Sequence, residues 1–172
     1  FRARVDHRRY NGATLLGLVR HHGTDPHHFL HQTHQFPELD RMVVSDRAEL
    51  NAVRRLRGRK ILYTNSPHRY AAAVLGVLGI AGLFDAVYAI EHVRFQPKPM
   101  LGGFRRLLHQ ERIAPAQAVM VDDTLENLRA ARRLGMRTVW VSRAARSPHY
   151  VDVRVGSVRQ LPRLSDRLGA AR

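Results

Sequence analysis

The chain has 172 residues, 44% of them hydrophobic, with 29 Lys and Arg against 14 Asp and Glu, a formal charge of +15. This size and apolar content suit one domain with a real core and exclude a disordered basic tail, while the absence of cysteine excludes disulfide scaffolds, zinc ribbons and thiol nucleophiles. No apolar run approaches the roughly 20 residues of a membrane span and no signal-peptide core follows the N-terminus, so a cytoplasmic protein with no membrane partner is expected.

The first third reads as helical. Ala13, Leu15, Leu16, Leu18 and Val19 form an apolar stripe ending at Gly23. Asp25 before Pro26 is a good N-cap for a second helix through Phe29 and Leu30. Asp46 with Glu49 three residues on resembles a capping box and opens a third helix, carrying Leu50, Val53 and Leu56 to Gly58. From there the pattern alternates. Short β-type runs at 60–64, 86–90, 117–121, 137–141 and 152–155 are separated by helical stretches. These helices are expected from Pro67, capped by Ser66, to Leu78, over Met100 to Gln110, and from Leu125 to Leu134 with Gly135 as the stop. Strands alternating with helices imply an α/β fold with a parallel sheet covered on both faces. The chain divides into a helical part, 1–57, and an α/β part, 58–172.

Only Lys60 and Lys98 are lysine, so arginine carries nearly all the positive charge, scattered along the chain as a GC-rich coding bias would leave it. A nucleic-acid binder concentrates its charge on one helix or patch, and the densest run here, Arg54 to Lys60, closes a helix whose C-terminal dipole favours cations. Nucleic acid is therefore not the expected partner.

In parallel sheets ligands sit beyond the carboxyl ends of the strands, which singles out Thr64-Asn65-Ser66, Glu91 to Lys98, and Asp122-Asp123. Two acids emerging from an apolar strand, with Asn127 four residues after Asp123, form a hard oxygen cluster suited to Mg²⁺; helix capping would account for one acid but not for two. Thr64 and the helix N-terminus at Ser66-Pro67 form a ready anion site, although an ordinary capped turn would look the same. Lys98 sits between Pro97 and Pro99, which stiffen the backbone around an ammonium suited to a phosphoryl oxygen.

Taken together, these pieces resemble the haloacid dehalogenase-like (HAD) phosphohydrolases, with Thr64, Lys98 and Asp122-Asp123 matching that superfamily's second, third and fourth motifs. Val121-Asp122-Asp123-Thr124-Leu125-Glu126-Asn127-Leu128 through Leu134-Gly135-Met136 is the most specific stretch. Thr64-Asn65-Ser66-Pro67, Phe95-Gln96-Pro97-Lys98-Pro99 and the Gly12–Leu18 stretch look like the pyrimidine 5'-nucleotidase branch. The resemblance implies a HAD-like Rossmannoid parallel sheet with a helical cap, residues up to about Arg57 being part of that cap. It also implies a Mg²⁺-dependent phosphomonoesterase working through an aspartyl-phosphate on a small, nucleotide-like phosphorylated substrate. Thr64, Asn65 and Lys98 would hold phosphate, Thr64 and Lys98 would assist catalysis, Asp122 and Asp123 would serve the metal, and Asn127 would support them.

The family's nucleophile lies in a first, central strand ending Asp-x-Asp, and no such element is present here. Asp6 has Arg8 at the partner position, Asp40 has Met42 and Asp46 has Ala48. With Phe1 in place of an initiator methionine, the sequence is expected to begin partway into a longer gene product, on the order of 40 residues short of a complete enzyme. The chain as given is expected to fold poorly and to hydrolyse nothing. The alternative is a catalytically inactive HAD-like module that binds a phosphorylated ligand or an acidic partner. His27, His31 and His34 share a helical face and could bind Zn²⁺ or Ni²⁺, a substrate or surface role being favoured. Trp140 is read as packing.

Overall fold

The computed structural model describes residues 22–164; the stripe over 13–19, the Gly12–Leu18 stretch and Asp6 lie outside them. Helix α1 (Pro26–Thr33) starts as expected: the Asp25 carboxylate accepts from the backbone N–H groups of His27 and His28 at 3.1 and 3.2 Å. Its one buried side chain, Leu30, joins a cluster with Tyr88, Ile90, Val93 and Leu107. A single turn, α2 (Leu39–Met42), follows where no helix was expected.

Helix α3 (Arg47–Arg55) begins on Asp46, which accepts from Ala48 N–H at 2.8 Å, but the reciprocal half of the capping box is not made. Glu49 instead accepts from the Ser157 hydroxyl at 2.8 Å, and Asp46 pairs with Arg159. Tertiary docking has taken the acid that local propensity assigned to the cap. With Ala52 fully buried, α3 is held against the 3₁₀ turn Val158–Arg163, so the stretch before Arg57 is tied to the far end of the described chain.

Five short strands follow: β1 (Ile61–Tyr63), β2 (Ala86–Tyr88), β3 (Val119–Asp122), β4 (Arg137–Val141) and β5 (Val153–Val155). All pair in parallel, as the α/β reading requires. They form two sheets, β1–β2 and β3–β4–β5, with Ile61 opposite Ala86 and Asp122 opposite Trp140. Among the described residues no strand lies on the remaining edge of β1 or of β3.

Helix α4 (His68–Val77) follows β1, α5 (Leu101–Gln110) precedes β3, and α6 (Leu125–Arg133) joins β3 to β4. The main core gathers Phe104 and Leu108 of α5, Leu128 and Ala131 of α6, Met120 and Trp140 of the sheet, and Met136. Gly135, at φ +90°, ends α6 as the sequence indicates. Thr138, fully buried, is satisfied by Asp152 and by the Tyr150 carbonyl, and Arg132 closes that group at 2.9 Å from Asp152.

At the end of β2, the Tyr88 hydroxyl donates to Glu111 at 2.7 Å and Arg59 pairs with the same carboxylate. The Tyr88 bond first, and then Arg59, hold the Glu111 carboxyl below its ordinary value, outweighing its partial burial. Burial, followed by the bond to Glu111, pushes Tyr88 up to about 12. A depressed acid contributes stability above its unfolded pKa and loses it as the pH falls; a raised phenol contributes below 10 and loses it as the pH rises towards 12. We therefore expect Tyr88→Phe to cost about 1–2 kcal/mol between pH 5 and 10, with the difference narrowing below pH 4 and above pH 11. Urea midpoints across pH check this, and a pH-independent difference would contradict it.

Candidate active site

Both sheets end at one place, and Lys98 joins them. Its ammonium lies 2.8 Å from Asp122 Oδ2 at the end of β3 and 5.2 Å from the centre of the Tyr63 ring at the end of β1. Both charged side chains are nearly buried, at 12% and 7% exposure, so this pair sits where screening is weak.

Lys98 is held at its backbone as well. The Asn65 side chain accepts from Lys98 N–H at 2.7 Å and donates to the Lys98 carbonyl at 2.9 Å. The loop leading to Lys98 is tightly wound: Arg94 and Phe95 are both left-handed, at φ 52° and 55°, fixed by bonds from Phe95 N–H to Ile90 O and from Gln96 N–H to Val93 O. Phe95 meets the His27 ring edge-on at 5.1 Å, which links this loop to α1. Bulky residues in that conformation carry strain that the surroundings must hold in place.

Asp122 is fully engaged. Besides Lys98, it accepts from Thr124 N–H at 2.8 Å and from the buried Asn127 amide at 3.1 Å on each oxygen. Asp123 projects from the same strand end into solvent, touched by the Thr124 hydroxyl at 3.2 Å, and its carbonyl accepts the indole N–H of Trp140 at 3.1 Å. Trp140 packs in the core as expected, and it also props up the acidic turn. Thr64 closes β1, its N–H donating to the Tyr88 carbonyl at 2.9 Å and its hydroxyl oxygen accepting from Ser66 N–H at 3.1 Å.

One sequence expectation changes here. Ser66 does not cap α4: the N-cap is Pro67, and the first helical N–H, at His68, is taken by both Glu91 oxygens at 3.1 and 3.2 Å. A carboxylate from 23 residues away outcompetes the local hydroxyl, and only the fold brings it there. His27 and His31 of α1 and His34 at its C-cap do not converge on one point: His27 meets Phe95, His31 lies between Gln35 and Arg69, and His34 packs on Tyr70. Among the described residues no group of three His, Cys, Asp or Glu is placed to hold a metal ion.

Those histidines line a cavity of about 650 Å³ between α1, α2 and α4, with Phe36, Arg69, Tyr70, Pro67 and Glu91. Phe36, His34 and Tyr70 form a ring cluster with centroids 5.2–6.5 Å apart. No local pattern in the sequence marks this cavity, because its aromatic and basic residues are spread over separate elements. Glu91 and Pro67 place it beside the Thr64 turn.

A family model described as haloacid dehalogenase-like hydrolase matches residues 5–135. Among solved structures, the fold is similar to a HAD phosphatase from Thermococcus onnurineus, at 20% identity and TM-score 0.62, over 96% of this chain and 91% of that one. It is also similar to a HAD-superfamily hydrolase of subfamily IA from Geobacter sulfurreducens, at 22% identity and TM-score 0.61, over 74% and 64%. The L-2-haloacid dehalogenase from Xanthobacter autotrophicus matches at 18% identity and TM-score 0.60, over 72% and 59%. The chain thus spans less than two thirds of the length of several of these proteins, including 55% of a further dehalogenase. No curated protein matches it in sequence. Among the described residues no helix is long and apolar enough to cross a membrane. With more than half its length matched by the family model and the fold agreeing, the chain belongs to the haloacid dehalogenase-like hydrolases.

Proposed function

We propose that this is the larger part of a cytoplasmic, Mg²⁺-dependent phosphomonoesterase of nucleoside 5'-monophosphates, residues 1–57 belonging to its cap. The convergence of Lys98, Thr64 and the Asp122-Asp123 turn at the carboxyl ends of two parallel sheets is the observation that carries this reading. Mg²⁺ is commonly held by one or two carboxylates plus substrate oxygens and water, a donor set that the exposed Asp123 fits beside an Asp122 already tied to Lys98. The ion would supply charge stabilisation of the phosphoryl group.

Lys98 would face the phosphoryl oxygens with its ammonium fixed, and the Thr64 hydroxyl hydrogen would donate to them while its oxygen accepts from Ser66. An aspartate upstream of the chain would attack phosphorus, forming the acyl-phosphate bond as the ester P–O bond breaks and the nucleoside oxygen leaves with a proton. Water would then cleave the acyl phosphate to free carboxylate and inorganic phosphate. The edges of β1 and β3 that no strand among the described residues covers would accept the strand that carries this aspartate, since parallel edges are seldom left open inside a core. The aromatic and basic cavity at Phe36, Arg69 and Tyr70 suits a planar base.

Protein purified from its native source should release phosphate from UMP or CMP only with Mg²⁺. Asp123→Asn should lower turnover about a hundredfold or more with the fold intact. Chloride release from 2-chloropropionate without phosphatase activity would favour the dehalogenase chemistry that some structural neighbours are named for. Neither activity would leave an inactive module that binds a phosphorylated ligand.

A further inference from the structure

We propose that Asn65 is a positioning residue whose side-chain amide fixes the Lys98 ammonium in place. The amide meets both backbone polar groups of Lys98, N–H at 2.7 Å and C=O at 2.9 Å, across 33 residues of chain. A primary amide satisfying donor and acceptor of one residue acts as a single extra rung of sheet. It sits next to Thr64, so one clamp locks the end of β1 to the segment that bears Lys98. At the other end of that side chain Nζ meets Asp122, itself fixed by Thr124 N–H and Asn127. Lys98 is therefore pinned at its root by Asn65 and at its tip by Asp122, and its four-carbon stem has little freedom left.

A flexible lysine in this place would swing between Asp122 and solvent, because its side chain gains rotamer entropy when released. With the backbone clamp in place, the ammonium stays over the Tyr63 ring, 5.2 Å from its centre. One Nδ2–H and one Oδ1 lone pair of Asn65 are committed to this task.

The chain itself supplies the assay, since it holds only two lysines. Lys60, whose ammonium rests against the Gly58 carbonyl at 3.4 Å, is the internal control. Limited acylation with a small amine-reactive ester, read residue by residue by mass spectrometry, compares the two. In the unmodified chain Lys98 labels slowly relative to Lys60. In Asn65→Ala the Lys98/Lys60 ratio is expected to rise about tenfold or more, the population change that follows loss of two hydrogen bonds, while Lys60 keeps its rate. Asn65→Asp, which keeps the acceptor for Lys98 N–H and loses the donor to its carbonyl, should fall between the two. A folded Asn65→Ala chain with an unchanged ratio overturns the assignment. If Asn65→Ala unfolds, so that both lysines label at the urea-denatured rate, Asn65→Asp decides: an unchanged ratio there overturns the assignment equally. The readout needs no turnover, so it stands apart from the outcome of any hydrolase assay.

Discussion

Replacing Lys98 by methionine is expected to cost about 3–5 kcal/mol of stability at neutral pH, because it strands the Asp122 carboxylate at 7% exposure with no cation beside it. The loss does not measure the worth of the ion pair. Bringing two charges out of water costs several kcal/mol each, and their attraction offsets that only while both are present. Thr124 N–H and the Asn127 amide stay on Asp122 and soften the loss but carry no full charge. Asp122→Asn keeps the shape and an acceptor for Thr124 N–H, so Lys98→Met combined with Asp122→Asn should be more stable than the sum of the single costs predicts. A coupling of about 2 kcal/mol is expected, near the upper range for groups in contact. Urea denaturation of the four chains measures it, and strictly additive costs would mean the pair is already hydrated and the site open to water.

How much of this was legible in the sequence follows from the range of the interactions involved. The N-cap at Asp25, the run Arg137 to Val141 and the stop at Gly135 depend on neighbours a few residues away, and each appears where local chemistry puts it. The acidic turn after β3 was legible for the same reason: two acids after an apolar run are a local pattern. Glu91 capping α4, Glu49 leaving its cap for Ser157, and Asn65 gripping Lys98 depend on partners 23, 108 and 33 residues away, which no window of sequence can show.

Gly102 and Gly103 are an intermediate case. A side chain at Gly103 would collide with the Tyr63 hydroxyl and the Gln96 carbonyl, so that position needs glycine for the first turn of α5 to lie against β1 and the Lys98 loop, whereas one at Gly102 would displace only the end of the Gln96 side chain. The reason for glycine at Gly103 is close approach, which only packing reveals. The left-handed Arg94 and Phe95 lie further still from local reading, since neither residue type favours that backbone.

The largest single loss outside the ion pair is expected at Trp140. Truncation to alanine removes a side chain at 8% exposure from the main core, and about 3–5 kcal/mol should go with it. Trp140→Phe separates packing from hydrogen bonding. The phenyl ring keeps most of the apolar contact with the core, so stability should fall by only about 1 kcal/mol beyond the volume lost. The indole N–H, however, is what meets the Asp123 carbonyl, at 3.1 Å. In register, Trp140 lies opposite Asp122, so its strand and its side chain brace the two halves of the acidic turn at once. If Asp123 serves a divalent cation, its orientation is set partly by that bond, and loss of an outer-shell partner of this kind lowers metal affinity about 10–100-fold. Calorimetric Mg²⁺ titration of the unmodified chain, Trp140→Phe and Asp123→Ala tests this. Weakened binding in the first variant and none in the second would place the indole in support of the metal turn. Equal affinity in the unmodified chain and Trp140→Phe would confine Trp140 to packing, the role that its apolar neighbours in β4 already suggest.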